Sequence, residues 1–207
     1  MKCNTRRARE ESVINAYQVI GKSILAYLDA SAGCVVSDLC GFKRKRLQAM
    51  YDTTNESVNY LMEHYGEGCV DTRERADAAL WSAKRRLKDY ANFDFDEATE
   101  AYQAKDTFFS TWHSQSDISK HRTRMQFIED MDLVARTYHV TILFWFWQTY
   151  GYARDRLTRL YRLLREDYNL WITEYLRCNA AGDKKTQEML LQRQDRMQEL
   201  GLEFEEV

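Results

Sequence analysis

Two clusters of basic residues, 110 positions apart, have the clearest capacity for chemistry in this sequence. Their members are Lys43, Arg44, Lys45 and Arg46 in the first cluster, and Arg154, Arg156, Arg159 and Arg162 in the second. Such side chains bind phosphate groups and acidic protein surfaces. A third interpretation, which stays open here, is that they pair with acidic residues of the chain itself. These eight residues are therefore the candidate partner- or phosphate-binding site.

The first cluster falls in the first turn of a predicted helix. Cations there oppose the helix dipole, at a cost of about 0.3–1 kcal/mol each when exposed. A bound phosphate would offset this cost, because helix N-termini attract anions. By helical angle Arg44 and Arg46 also flank an apolar stripe, so their stems can cover the edge of the core. Arg159, Arg162 and Arg165 add a basic face to the second helix alone.

The segments that carry the clusters resemble each other. Residues 41–64 and 151–174 are identical at seven of 24 aligned positions. Both begin with Gly, an aromatic residue and the pattern Arg-x-Arg-Leu, and both continue with an apolar stripe of helical period. The first stripe is Leu47, Met50, Tyr51, Thr54, Val58, Leu61, Met62 and Tyr65, and the second is Leu157, Leu160, Tyr161, Leu164, Tyr168, Trp171, Ile172 and Tyr175. The pattern predicts two equivalent helices that bury the same face.

The composition favours an all-α fold. The 207 residues include no proline and eight glycines, which is typical of long helices with few turns. Apolar spacing predicts a helix over residues 12–30, a break at 31–33 and a short helix over 34–40. It also predicts charged helices over 72–90 and 184–200, and a largely apolar helix from about 120 to 150. We predict two pseudo-repeated helical halves, residues 12–95 and 122–204, joined by a connector over 96–121.

Charge and cysteine usage limit the location and the partners. The net charge is −2, with nine basic and four acidic residues among 1–50 but six basic and twelve acidic among 51–100. This uneven distribution is compatible with binding one charged partner. The five cysteines form no CxxC pair, and the N-terminus is polar. We predict a reduced cytosolic protein without membrane association. The apolar helix, residues 133–152, is either buried or the interface of a homodimer.

Catalytic and metal-binding patterns are missing from the sequence. The four histidines show no HExxH or ExxH spacing, and no phosphate-binding loop or nucleophile motif is present. We predict no catalytic residue, no metal site and no cofactor, so the protein is expected not to be an enzyme. A helix-turn-helix at the first glycine stays open as an alternative. Ser37, four residues before Gly41, suits the close helix crossing of that motif, whereas Trp147 in the second copy does not.

The motif residues support a resemblance. Gly41-Phe-x-Arg-x-Arg-Leu and Gly151-Tyr-x-Arg-x-Arg-Leu, with the later endings Asn-Phe-Asp-Phe and Gly-Leu-Glu-Phe, are similar to those of small, uncharacterised, all-helical proteins of phages and prophages of Gram-positive bacteria. Two copies of that unit are fused here, and Cys40 replaces the aromatic residue expected before the first glycine. The resemblance implies a viral, mobile-element origin and supplies no activity.

We therefore predict a non-enzymatic phage-type interaction protein. It would bind and modulate or inhibit a host protein or nucleoprotein, and inhibition of a bacterial defence system, in the manner of an anti-CRISPR protein, is one form of this function. The alternative is a nucleic-acid-binding regulator that uses the arginine clusters at the helix N-termini. A helical enzyme is a third class.

Overall fold

The computed structural model describes residues 24–65, 72–103, 118–177 and 184–202, and within these ranges it contains helices and no strand. This confirms the all-α prediction. The first helix, α1, covers residues 24–40. The others are α2 (Arg44–Tyr65), α3 (Thr72–Ala91), α4 (Phe95–Gln103), α5 (Ile118–Tyr150), α6 (Arg154–Arg177) and α7 (Lys184–Glu199). Most of the predicted connector, residues 104–117, lies outside the described ranges.

Both motif segments form helices, and α6 buries its whole predicted face. All positions of the second stripe are buried, from Leu157 at 0% exposure to Tyr175 at 8%. On α2, Leu47, Met50 and Thr54 are buried, and the stripe positions from Val58 onward lie outside the described side chains. The amphipathic period therefore predicted the buried face of α6 correctly, because an apolar stripe must face the core to leave water.

A glycine turn precedes each motif helix. Gly41 has a φ of 65° and Gly151 a φ of 64°, in the left-handed region that favours glycine. Their amides donate hydrogen bonds to the carbonyl oxygens of Ser37 (2.8 Å) and Trp147 (2.9 Å), which closes the last turn of α1 and of α5. The two turns have the same geometry, and each reverses the chain into the following helix.

The first hairpin is antiparallel. Tyr51 of α2 donates a hydrogen bond to the carbonyl oxygen of Asp29 in α1 at 2.6 Å. These residues lie ten positions after and twelve positions before Gly41, so the two helices stay in contact far from their turn. Helices of a helix-turn-helix cross at about 90–120° instead. The first glycine turn therefore does not fit the helix-turn-helix alternative.

Helices α1, α2, α5 and α6 form a four-helix bundle with both turns at one end. Tyr138 of α5 donates a hydrogen bond to Asp29 of α1 at 2.5 Å, while the turn residues Cys40 and Tyr152 meet at 3.6 Å. Because α1 and α5 meet both at mid-helix and at their ends, they run in the same direction. Helix α2 packs against α5, and the α1 residue Tyr27 stacks on Trp171 of α6 at 4.8 Å.

Helices α3 and α7 cover the two sides of this bundle. Helix α3 packs against α2 and α5, and α7 packs against α6. Helix α7 also contacts α1, where the Cys34 thiol donates to the carbonyl oxygen of Arg193 at 3.6 Å. Each outer helix therefore touches the second helix of one hairpin and the first helix of the other.

The predicted break at residues 31–33 is wrong. This segment is helical and buried within α1. Glycine occurs at position 33 because a Cβ there would overlap the side chains of Met197 and Tyr51. Gly33 permits close packing of α1 against α2 and α7. It therefore lies at a contact between helices, whereas the sequence had indicated a turn.

The aromatic helix lies in the core. On α5 the run from Val140 to Phe146 is buried inside the chain, with Phe146 at 0% exposure. Near its C-terminus, Tyr150 is 38% exposed. The apolar run is thus used by the chain's own core. If the chain forms a homodimer through residues 133–152, the exposed C-terminal end of this helix would make the contact.

Candidate functional site

The two basic clusters lie at the same end of the bundle. The Cys40 thiol and the Tyr152 hydroxyl are 3.6 Å apart, and the Phe42 and Tyr150 rings have centroids 5.3 Å apart. Phe42 also stacks on Phe146 at 5.7 Å, and Tyr152 contacts Phe146 at 5.0 Å. Packing of one turn on the other thus brings helix starts that are 110 residues apart in sequence to the same end of the bundle. We call the eight predicted site residues at this end the basic end.

All members of the basic end are exposed. The members are Lys43, Arg44, Lys45, Arg46, Arg154, Arg156, Arg159 and Arg162. Two occupy matching places: the Arg46 guanidinium lies over the Phe42 ring at 5.4 Å, and that of Arg156 over the Tyr152 ring at 5.3 Å. Cation–π contacts of this kind hold a guanidinium in place while it stays charged and accessible. The stem of Arg44 covers Gly201 at the end of α7.

Few of these cations are neutralised by the chain itself. Arg154 pairs with Glu97 at 3.8 Å, and Arg162 with Glu166 at 3.7 Å. Both pairs are exposed, and such pairs contribute only about 0–1 kcal/mol. In the described part of the chain, Lys43, Lys45 and Arg159 have no ion pair. Among the described residues, Arg154 is the member of the basic end that pairs with the acidic segment 51–100, through Glu97. Most of the basic end is therefore available to bind a partner.

A cleft of about 550 Å³ opens between α4 and the start of α6. Its α6 wall carries Arg154, Asp155, Thr158, Arg159 and Arg162, and its other wall carries Phe93, Asp94, Glu97 and Ala98. The volume is within the range of ligand-binding pockets, about 300–1,000 Å³. Three of the eight predicted site residues thus line a concave surface, which residue spacing alone did not reveal.

Asp94 positions the α4 wall. Its carboxylate accepts hydrogen bonds from the amides of Asp96 and Glu97, both at 3.1 Å, and therefore caps α4. It also pairs with Lys88 at 2.6 Å. The hydrogen bond from Lys88, followed by those from the backbone, lowers the pKa of Asp94. The sequence carries a signal for this cap, an Asp followed three residues later by Glu, which the sequence analysis missed.

Arg165 does not belong to an exposed basic face. It is fully buried and pairs with Asp132 of α5. Asp132 also pairs with Arg136 at 3.0 Å, and the buried His139 ring contacts Tyr161 and Tyr168 at 6.1 Å. Burial, and then the charge of Arg165, lower the pKa of His139 to about 3. The prediction for Arg165 is wrong because α5 lies directly over that side of α6.

The described residues contain no group of three or more His, Cys, Asp or Glu side chains that could hold a metal ion. None of the described helices combines the length and apolarity that a membrane span requires. The arrangement offers exposed cations, aromatic rings and a cleft, which together suit the binding of an anionic surface.

Comparisons with protein families, curated proteins and solved structures found no match.

Proposed function

We propose that this is a non-enzymatic binding protein of phage type that attaches through its basic end to an anionic surface of a host protein or nucleoprotein. One observation carries the proposal. Exposed cations from two helix starts, 110 residues apart, lie at the same end of the bundle because the two turns pack on each other. Modulation or inhibition of a bacterial defence system, in the manner of an anti-CRISPR protein, is one form of this function. The host bacterial cytoplasm is the proposed location.

Charge placement supports this proposal over a purely structural role. Cations in the first turn of a helix oppose its dipole, and Lys43 and Lys45 have no compensating ion pair among the described residues. At the position equivalent to Arg159 the first copy has Ala49, so the fold does not require a charged side chain there. An external anionic partner would compensate these residues and account for their number.

The test is a quantitative pull-down from a lysate of a Gram-positive bacterium. The bait is the wild-type chain, the variant Lys43→Gln/Lys45→Gln, or the control Arg85→Gln/Lys184→Gln. The control removes the same charge from residues that are exposed elsewhere on the surface. We expect one partner to be retained by the wild type and the control and lost by the Lys43/Lys45 variant. Equal recovery with all three baits, or no partner, would count against the proposal.

The alternative is a nucleic-acid-binding regulator. The same clustered cations favour it, because phosphate contacts supply most non-specific affinity for a duplex. The measurement is a salt titration of binding to a short duplex. If four or more members of the basic end contact phosphates, log Kobs falls with log salt at a slope of about −3.6 or steeper. A flat response, or a salt slope that is unchanged in the Lys43/Lys45 variant, would remove this alternative.

We also propose that the two hairpins and their outer helices descend from one duplicated unit. The contacts occur in corresponding pairs: position 40 contacts 152 and position 150 contacts 42. Each unit also ends alike, with a positive φ at Asn92 or Gly201 followed by buried Phe93 or Leu202. Contacts that exchange in this way are those of a two-fold interface between identical subunits. An isolated half, residues 122–207, that dimerises in solution would support the duplication, and one that stays unfolded at high concentration would oppose it.

A further inference from the structure

The cleft between α4 and α6 differs in chemistry from the matching surface of α2. Arg154 and Arg156 have counterparts in Arg44 and Arg46. In contrast, Arg159 and Arg162 correspond to Ala49 and Asp52. Ala49 and Asp52 are exposed on α2, where Asp52 accepts a hydrogen bond from Gln48 at 2.9 Å. The helix start therefore folds and packs with or without arginines at these two places.

Comparison of the two copies distinguishes the residues that both turns share from those that occur only at the cleft. The glycine, the aromatic residue and the stacked arginine are shared by both copies. Arg159 has no ion pair among the described residues, and Arg162 has one exposed partner, Glu166 at 3.7 Å. Both arginines line the 550 Å³ cleft. Because neither is needed for packing, both side chains can bind a ligand in the cleft.

We propose that this cleft binds an acidic peptide segment of the partner protein, and this inference rests on the function proposed above. Arg154, Arg159 and Arg162 would pair with carboxylates of the segment, since guanidinium binds carboxylate in a bidentate manner. The cleft also carries Asp94, Glu97 and Asp155. These carboxylates can accept hydrogen bonds from peptide amides, whereas a phosphate backbone has no amide to donate them. A peptide with spaced acidic residues therefore fits better than a nucleic acid strand.

The two copies also define the test variant. Arg159→Ala/Arg162→Asp gives the second copy the residues that the first copy already has at these positions. The control, Arg85→Ala/Lys184→Asp, changes the net charge equally at exposed sites, where the side chains are 65% and 90% exposed. Circular dichroism during heating checks that each variant folds. If the double variant does not fold, Arg159→Gln, which keeps a long polar side chain, takes its place.

The probe is a fluorescein-labelled octapeptide of alternating Glu and Ser, and binding is measured by fluorescence anisotropy. We expect the peptide to bind the wild type and the control equally, and to bind the Arg159/Arg162 variant at least about tenfold more weakly. The matched Gln/Ser peptide should not bind. The proposal is overturned if the acidic peptide does not bind, if both peptides bind alike, or if the variant and control weaken binding equally. It is also overturned if a labelled eight-nucleotide single strand binds more tightly through the same arginines.

A pull-down with the same variant separates this inference from the proposed function. If the partner is lost from the Lys43/Lys45 variant but retained by Arg159→Ala/Arg162→Asp, the first cluster binds the partner and the cleft does not. If the acidic peptide binds in the cleft but no host protein is captured, the cleft binding stands and the proposed host-protein function fails.

Discussion

The Cys40 thiol lies 3.6 Å from the Tyr152 hydroxyl, and this contact joins the two glycine turns of the bundle. Its counterpart is the contact of Tyr150 with Phe42, whose ring centroids are 5.3 Å apart. Positions 40 and 150 correspond in the alignment of the two segments, as do positions 42 and 152. The paired contacts place the two helix starts at the same end of the bundle. The basic end exists because of this packing, since neither cluster alone would present eight cations.

Replacement of Gly33 by alanine tests the close packing of α1. Alanine is the better helix former by about 1 kcal/mol, so a residue at an ordinary helix position would gain stability. We expect Gly33→Ala instead to lower the free energy of unfolding by about 1–3 kcal/mol, because its Cβ would overlap Met197 and Tyr51. Urea denaturation measures the change. An unchanged or raised stability would mean that α1 does not approach α2 and α7 this closely.

The two turn glycines give a direct comparison of the two copies. A Cβ at Gly41 or Gly151 would meet nothing within 4 Å, so Gly→Ala at either position introduces backbone strain alone. We expect each substitution to cost about 1–2 kcal/mol, the penalty of the left-handed region. The two costs should be similar, because the two glycines have nearly the same φ. A large loss at one glycine and none at the other would show that the turns are not equivalent.

The amphipathic period and the Gly-aromatic-Arg-x-Arg-Leu pattern were sufficient to predict α2, α3, α5, α6 and α7 and the buried face of α6. These features are local, and burial of an apolar stripe follows from its spacing. The errors concern contacts between helices. Gly33 resembled a break because close packing and chain reversal both favour glycine. Arg165 resembled an exposed arginine because its partner, Asp132, is 33 positions away. The cleft was missed because α4 lies in the predicted connector and α6 in the second half.

The buried pair of Arg165 and Asp132 gives a third prediction. Asp132→Asn would leave the Arg165 guanidinium without a counter-charge at 0% exposure, and removal of one partner of a buried pair costs about 3–5 kcal/mol. The control Asp89→Asn breaks the exposed pair with Arg85 and should cost less than about 1 kcal/mol. Equilibrium unfolding in urea compares the variants. Similar losses for Asp132→Asn and Asp89→Asn would contradict burial of the Arg165 pair.

His139 should make the stability depend on pH. Burial lowers its pKa to about 3 in the folded protein, while the unfolded value is near 6.5. Between these two pH values the unfolded chain therefore binds more protons than the folded protein. The contribution of His139 to the free energy of unfolding is fully present above about pH 6.5 and is lost as the pH falls toward 3. Between pH 7.5 and pH 5.0 we expect His139 to account for a loss of about 2 kcal/mol. The variant His139→Phe should lack this part of the loss, and an identical pH profile would contradict a buried neutral histidine.

Lysine acetylation footprinting of the chain in complex with its captured partner tests the central claim most directly. Lys43 and Lys45 belong to the basic end, whereas Lys184, with a side chain 90% exposed, lies on α7 and serves as the internal reference. Mass spectrometry compares the acetylation of each lysine in the free and bound chain. We predict at least about fivefold protection of Lys43 and Lys45, because a bound surface excludes the reagent from desolvated cations, with Lys184 unchanged. Protection of Lys184 while Lys43 and Lys45 remain fully reactive would contradict binding through the basic end.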